Sequence, residues 1–557
     1  MGDQPWIKSY PKGVSYDRPL ARMPVWQILD DTVARWPDQP AIDFMGKKIT
    51  YRQLADQVER AAVGFRELGV KPGVHVGLYL PNTPHYVVSF FAILKAGGTV
   101  VNYSPLDAEK ALIHKIEDSE TDIMVTLDVE SLYPMMAPLL QRTRLRTLVV
   151  ASSGMPCKVA WADEGHVRFE SLLAKDGPRV EPPVIANLDE AVVVLQYTGG
   201  TSGQPKGAML THTNLVAACD QLWATLCGGS QIREAQERML VVLPLFHIYA
   251  LTANMLIGIR IAAEMVFMLR FETEAVLREI AAKQVSIFPG VPTMFSAILN
   301  HPEVAKFDLS SLRFCGSGGA PLPIDVQQRF QRLTGCHVGE GWGMTETSPT
   351  GTFSPVGIRQ PPGSCGLPVP GMRFEFRDVS DPSKPMPLGE RGEICVSGPN
   401  VTKGYWKGGV VSERTPDGLF RTGDVGYMDE NGFVFIVDRT KDMILCGGFN
   451  VYPRIIEEAI YEHPAVAEVS VIGIHDEYRG QSPKAFIKLK PGAPAPTLEE
   501  LKAFLQGRLG KHEMVQALEI RAELPKTLVG KLSKKELYQE EAAKVSKVTK
   551  VTGGATR

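Results

Sequence analysis

Val74-His-Val-Gly-Leu-Tyr-Leu80 is a short apolar run, residues Pro84 to Ala96 carry a helical pattern, and Thr99-Val-Val-Asn102 is a second β-branched run. Strand, helix and strand within so few residues set the pattern for the rest of the chain. Upstream, Leu54, Val58, Ala61, Ala62, Phe65 and Leu68 keep helical spacing, with Gly69 and Pro72 closing that helix. Downstream, Asp122 to Leu127, Thr147 to Val150, Ala191 to Leu195 and Met239 to Leu243 read as further buried strands. Strands alternating with helices predict mostly parallel sheets covered on both faces. Ligands in such folds bind at the loops beyond the carboxyl ends of the strands.

The texture changes after about Ile394. Gly and Asp turns separate short strands, as in Gly418 to Thr422 and Glu430 to Val437, which predicts a compact β subdomain. Smaller α+β elements follow from Asp438, including strands at Val469 to Ile474 and Lys484 to Leu489 and a helix from Leu498 to Leu509. The last stretch, from about Glu541, is rich in Lys, Thr and Gly and is expected to fray.

Composition narrows the function classes. Of 557 residues, 44% are hydrophobic and 22% charged, ordinary values for a globular protein of more than one domain. Lys plus Arg number 60 against 62 for Asp plus Glu, so no basic field exists to hold nucleic acid. Eight cysteines lack metal-ligand or redox spacing and read as packing residues of a reducing compartment. The most apolar stretch, Ile248 to Leu269, is broken by Arg260 and Glu264, which argues for buried core and against a membrane span. A soluble, cytoplasmic protein is expected, with contact to a membrane surface and a homodimer both left open.

The strongest chemical signal is Tyr197-Thr-Gly-Gly-Thr-Ser-Gly-Gln-Pro-Lys-Gly207, directly after the strand that ends at Leu195. Glycines let backbone N–H groups turn inward, Thr198, Thr201 and Ser202 add hydroxyls, and Lys206 adds a cation. Such a loop suits the β- and γ-phosphates of a nucleotide. Without a terminal Gly-Lys-Ser/Thr it is not a Walker A loop, and the plainer reading is a strand-to-helix turn. The run resembles the phosphate loop of the adenylate-forming superfamily, which holds acyl-CoA synthetases, firefly-type luciferases and peptide-synthetase adenylation domains. The similarity extends from about Tyr51 to Leu537. It is greatest toward the long-chain fatty-acid–CoA ligases, through Leu243-Pro-Leu-Phe-His-Ile-Tyr-Ala-Leu-Thr252 and through Gly199 where other branches carry Ser.

The resemblance implies a fold and a set of roles. The fold is a large N-terminal domain (1–437) of two parallel-type α/β subdomains plus a small β subdomain, followed by a mobile α+β C-terminal lid domain (438–557). Thr198, Gly199, Gly200, Thr201, Ser202, Gly203 and Lys206 would bind the nucleotide phosphates. Gly318, Gly319 and Ala320 of Ser317-Gly-Gly-Ala-Pro-Leu322 would take the adenine, with Trp342 standing where relatives have Tyr. In Gly341-Trp-Gly-Met-Thr-Glu346, Thr345 would bond the α-phosphate and Glu346 would bind Mg²⁺. His247 would lie beside the substrate carboxylate, although a histidine in an apolar run is otherwise read as core.

Asp424 of Arg421-Thr-Gly-Asp424 and Arg439 would contact the ribose, and Lys441 would be the hinge between two domain orientations. Gly447 and Gly448 would line the pantetheine tunnel, with Gly447 where many relatives have Ser. Lys531 of Leu524-Pro-Lys-Thr-Leu-Val-Gly-Lys531 would be the catalytic lysine, with Lys534 in place of the common Arg. The implied substrates are ATP, coenzyme A and a carboxylic acid, with Mg²⁺ accompanying ATP.

For the acid, Ile248, Tyr249, Leu251, Met255, Phe288 and Met294 offer apolar surface for an alkyl chain. At roughly 0.8 kcal/mol per buried methylene, such a pocket favours medium or long chains. Arg260 lies in the same region and either meets a distal carboxylate or reaches solvent from a helix end. The leading expectation is therefore a fatty-acid–CoA ligase. A dicarboxylate–CoA ligase, an acyl-AMP ligase serving a separate carrier protein, and a non-catalytic fatty-acid-binding protein are its alternatives.

Overall fold

The computed structural model describes residues 4–154, 164–175, 179–198, 205–228, 232–355, 358, 360–408, 414–447, 449–527 and 532–552. Packing divides the chain into two units, Met1–Arg373 with Ser397–Ser412 and Asn431–Phe433, and Phe374–Val396 with Glu413–Glu430 and Val434–Arg557.

The first unit holds two seven-stranded sheets. One runs His166–Arg168, Thr147–Ala151, Thr121–Leu127, His75–Leu78, Thr99–Asn102, Val192–Thr198, Lys206–Thr211. The other runs Val338–Glu340, Phe314–Ser317, Ile287–Gly290, Arg238–Val241, Glu264–Phe267, Pro40–Phe44, Lys47–Thr50. In each, every pairing is parallel except the last. Strand order reverses at His75–Leu78 in one sheet and at Arg238–Val241 in the other, and a crevice opens at such a switch point.

The opening stretch folds as expected. Helix Pro84–Ala96 begins with Pro at its first turn and stops at Gly97, whose φ of 96° only glycine adopts easily. Tyr86 to Ala96 are all buried, so the helix is core on every side. The plainer reading of the run after Leu195, a strand-to-helix turn, does not hold. Val192–Thr198 and Lys206–Thr211 pair antiparallel, Thr198 opposite Lys206, so a second strand follows the first before any helix. The helix starts only afterwards, at His212, where Thr211 and Asn214 form a reciprocal capping box.

The second unit carries a four-stranded sheet in the order Arg373–Arg377, Gly392–Ser397, Phe420–Met428, Val434–Arg439. It also has a mostly antiparallel sheet built on the long pair Val466–Asp476 and Gly480–Leu489, with helices Pro453–Tyr461 and Leu498–Leu505. The boundary expected at 437/438 falls inside the strand Val434–Arg439. Packing joins that sheet to the residues beyond it.

Of the stretch expected to fray from Glu541, residues up to Thr552 belong to helix Lys535–Thr552, and 553–557 lie outside the described residues. Leu537 anchors that helix in the core, and Glu541 pairs with Lys484 (2.9 Å) and Lys544 (2.6 Å). Among the described residues the seven cysteines are all free thiols, and no helix is long and apolar enough to cross a membrane.

Candidate active site

At the carboxyl end of Arg238–Val241 the chain turns through Leu243-Pro-Leu-Phe-His247. Asn82 clamps that turn. Its amide donates to the carbonyls of Val241, Leu243 and Met268 at 3.3, 2.9 and 3.2 Å, and its oxygen accepts from the Leu245 N–H at 2.8 Å. Tyr86 donates to the Leu245 carbonyl and Gln196 to that of Phe246, each at 2.9 Å. Residues from the carboxyl ends of one sheet therefore hold the loop leaving the other.

His247 follows as the cap of a short helix, Ile248–Ala250, and its Nδ1 accepts from the Tyr249 N–H at 3.3 Å. In the neutral ring this puts the proton on Nε2. The Tyr249 ring lies against the loop after Phe314–Ser317, where a Cβ on Gly318 would come within 3.0 Å of it. Gly319 has a φ of 80°, which also favours glycine. The structure thus sets a candidate acyl-pocket residue, Tyr249, against one candidate adenine residue, Gly318.

The next chain turn holds the candidate metal ligand. Trp342 packs its ring over Gly351, where a Cβ would sit 2.3 Å from the indole, and the Trp342 backbone N–H donates to Thr352 Oγ1 at 2.9 Å. Thr345–Thr347 form one tight helical turn, in which Glu346 is only 4% exposed. Tyr405 donates its hydroxyl to Glu346 Oε1 at 2.6 Å, and Lys206 Nζ stands 5.3 Å from the centre of the Tyr405 ring. Thr252, one turn beyond His247, donates to the Ser348 carbonyl at 2.9 Å. Asn400 ties the same turn to the later segment by donating to the Thr347 carbonyl at 2.9 Å.

Among the described residues no three His, Cys, Asp or Glu side chains cluster as a metal cage. One buried carboxylate, Glu346, near the strand Lys206–Thr211 fits Mg²⁺, which takes one or two carboxylates and completes its shell with phosphate and water.

In the second unit Asp424 and Arg439 face each other across adjacent strands, Arg439 Nε 3.0 Å from Asp424 Oδ1, and Asp424 is buried. Lys441 follows two residues later. Gly447, with φ of 57°, donates its N–H to the Arg479 carbonyl at 2.8 Å. Lys534 pairs with Glu457 at 3.0 Å. Gly199, Gly200, Thr201, Ser202, Gly203, Gly448 and Lys531 lie outside the described residues.

The candidate acyl residues Ile248, Leu251, Met255 and Phe288 are buried. Leu251–Leu256 form a π-helical turn, a deformation frequent at functional sites. Arg260 does not face them as a distal cation. It ends the helix Ile257–Arg260 and stacks 4.7 Å from the Trp223 ring, which also lies 5.1 Å from Arg18. This removes the observation that favoured dicarboxylic acids.

Sequence reading missed Asn82, Gln196, Asn400 and Tyr405. Each acts through a contact with a distant segment, and a lone Asn or Tyr beside a turn carries no local signal of it.

These features define a nucleotide-dependent enzyme built on two switch-point crevices. Residues 29–406 match the AMP-binding enzyme family and residues 455–531 its C-terminal domain, and the chain belongs to that family. It is similar to a long-chain-fatty-acid–CoA ligase of Bacillus subtilis (strain 168), 37% identical over 97% of this chain and 99% of the relative. Among solved structures it is similar to the anthranilate CoA ligase AuaEII in complex with anthranoyl-AMP (TM-score 0.84, 26% identity, 95% and 99% of the two chains). It is also similar to o-succinylbenzoate coenzyme A synthetase from Bacillus subtilis with ATP and magnesium (TM-score 0.75, 26% identity, 93% and 99%).

Proposed function

We propose that the protein is an ATP-dependent, AMP-forming acyl-CoA ligase that prefers medium- to long-chain fatty acids. The observation that carries this reading is the run of direct contacts from Lys206 through Tyr405 to Glu346, tied by Thr252 to the segment that bears His247. Residues expected to meet phosphate, metal and acyl carboxylate come from separate parts of the sequence into one region.

A carboxylate cannot acylate a thiol directly, because the leaving group would be oxide. Attack of the carboxylate oxygen on the α-phosphorus forms the acyl-adenylate, breaks the bond to the bridging oxygen and releases pyrophosphate. Thr198, the backbone of Gly199 to Gly203 with Thr201 and Ser202, and Lys206 hold the departing phosphates. Thr345 bonds the α-phosphate, and His247 orients the carboxylate with its Nε2 proton. Glu346 holds Mg²⁺, which when bound neutralises charge on the phosphoryl oxygens. Lys531 adds a cation where that charge develops. Gly318, Gly319, Ala320 and Trp342 receive the adenine, and Asp424 accepts from the ribose hydroxyls beside Arg439.

In the second half-reaction the chain pivots at Lys441, and Gly447 and Gly448 admit the pantetheine arm. The coenzyme A sulfur attacks the acyl carbon, the thioester forms and AMP leaves, with the thiol proton passing to solvent. Ile248, Tyr249, Leu251 and Phe288 receive the chain. The need for ATP and coenzyme A together favours a cytoplasmic reaction.

Palmitate, ATP and Mg²⁺ without coenzyme A should yield enzyme-bound palmitoyl-AMP detectable by mass spectrometry. Added coenzyme A should then convert it to palmitoyl-CoA and AMP. Formation of ADP and inorganic phosphate in its place would overturn the reading.

A further inference from the structure

We propose that Tyr405 is a positioning residue for the metal-binding carboxylate, holding Glu346 in the orientation that takes Mg²⁺ together with the nucleotide. This rests on the reading of Glu346 as the metal ligand and adds to it a residue that no motif singled out.

Three observations support it. The Tyr405 hydroxyl donates to Glu346 Oε1 at 2.6 Å, and the carboxylate is 4% exposed, so a protein donor takes the place of solvent there. Hydrogen bonds to an ionised acceptor are short and strong, and fixing one oxygen fixes the direction of the other. A neutral phenol does this without cancelling the carboxylate's charge, as a lysine there would.

Next, Tyr405 is itself held. The Trp406 N–H donates to the Gly207 carbonyl at 2.8 Å and the Met209 N–H to that of Gly404 at 2.9 Å, so the segment runs along Lys206–Thr211 as a short antiparallel bridge. The Trp406 indole N–H donates to the Asp118 carbonyl at 2.9 Å, and the Thr402 N–H donates to the carbonyl of Glu346 itself at 2.7 Å. This stitching fixes the backbone that carries the ring beside Glu346.

Finally, the other face of the arrangement is cationic. Lys206 sits 5.3 Å from the ring centre, within the range of a cation–π contact. Tyr405 therefore couples the strand that carries the phosphate-binding lysine to the carboxylate that carries the metal. Groups hydrogen-bonded to a metal ligand set its orientation and basicity, and removing one typically costs 10–100-fold in metal affinity.

The test is calorimetric titration of ATP, with no acid present, in excess Mg²⁺ and in EDTA, on the full chain and on Tyr405→Phe. The wild-type protein is expected to bind ATP more tightly with Mg²⁺. The variant should lose about 10–100-fold of that Mg²⁺-dependent gain and keep its affinity in EDTA. Thermal melting without nucleotide checks that the variant folds.

Equal weakening in Mg²⁺ and EDTA, or an unchanged Mg²⁺ response in Tyr405→Phe, would overturn the inference. A wild-type protein that binds ATP equally with and without Mg²⁺ would instead sink the reading of Glu346 as metal ligand, and this inference with it.

Discussion

His212 accepts a hydrogen bond from the Val25 N–H at Nδ1 (3.0 Å), stands edge-on to Trp26, and is only 2% exposed. Burial pushes its pKa down from 6.5 to about 4. With the folded-state value below the unfolded one, this contribution to stability is complete above pH 6.5 and is lost as pH falls toward 4. His212→Gln keeps an acceptor for Val25 but does not titrate. Between pH 8 and pH 5 the wild-type protein should lose about 2 kcal/mol more than the variant in urea unfolding. Equal losses would mean that His212 protonates without cost.

The role proposed for Lys531 is tested at the same scale. Lys531→Ala should slow acyl-adenylate formation by about 10²–10³-fold, the scale of a lost preorganised donor, while thioester formation from supplied acyl-adenylate survives. Equal loss in both half-reactions would make Lys531 structural. Lys206 was singled out because it sits in a glycine- and hydroxyl-rich run, and Glu346 because Gly341 to Glu346 resembles a motif of the family. Asn82 and Tyr405 were not, since one clamps a loop more than 150 residues away and the other reaches Glu346 across 59 residues.

At the scale of elements, the final helix is docked by an ion pair. Burial alone would lower the pKa of Lys534, but the carboxylates of Glu457, Asp438 and Asp442 outweigh it and hold the lysine above its usual range. Lys534→Met leaves Glu457 buried without its cation and should cost about 3 kcal/mol in denaturant unfolding, whereas Lys534→Arg should recover most of it. A methionine variant as stable as wild type would show that the helix is held by Leu537 and its neighbours instead. Lys441→Pro tests the hinge, because proline fixes φ and should impair one half-reaction far more than the other. Wild-type rates in both would contradict a pivot there.

Elements with strong local signals were readable in advance. Pro at the start and Gly at the end bounded Pro84–Ala96, and β-branched runs marked Thr99–Asn102 and Thr147–Ala151. The π-turn Leu251–Leu256 was hidden, because a single extra residue per turn leaves an apolar stretch apolar. The second strand after Thr198 was hidden too, because Lys206-Gly-Ala-Met-Leu-Thr211 becomes a strand through pairing with its neighbour, and periodicity over six residues cannot register that.

At the scale of the molecule, two sheets reverse strand order, and Asn82, Tyr86 and Gln196 draw the carboxyl ends of one onto the loop leaving the other. Alternation of strand and helix disclosed the parallel sheets. It could not disclose which sheet each strand joins, since Pro40–Phe44 pairs with Glu264–Phe267 more than 200 residues later. The apolar residues around His247 were visible as core, whereas the direction of Arg260 depended on Trp223, which sequence alone does not bring beside it.

The central claim is that this site activates a fatty acid as its adenylate for transfer to coenzyme A. It is tested most directly by pyrophosphate release from MgATP across benzoate, short acids, palmitate and medium-chain dicarboxylates, with and without coenzyme A. The expected result is sustained release that requires coenzyme A and rises steeply with chain length, by about fourfold in kcat/KM per buried methylene until the pocket is filled. No release with any acid, or sustained release confined to dicarboxylates or benzoate, would contradict it.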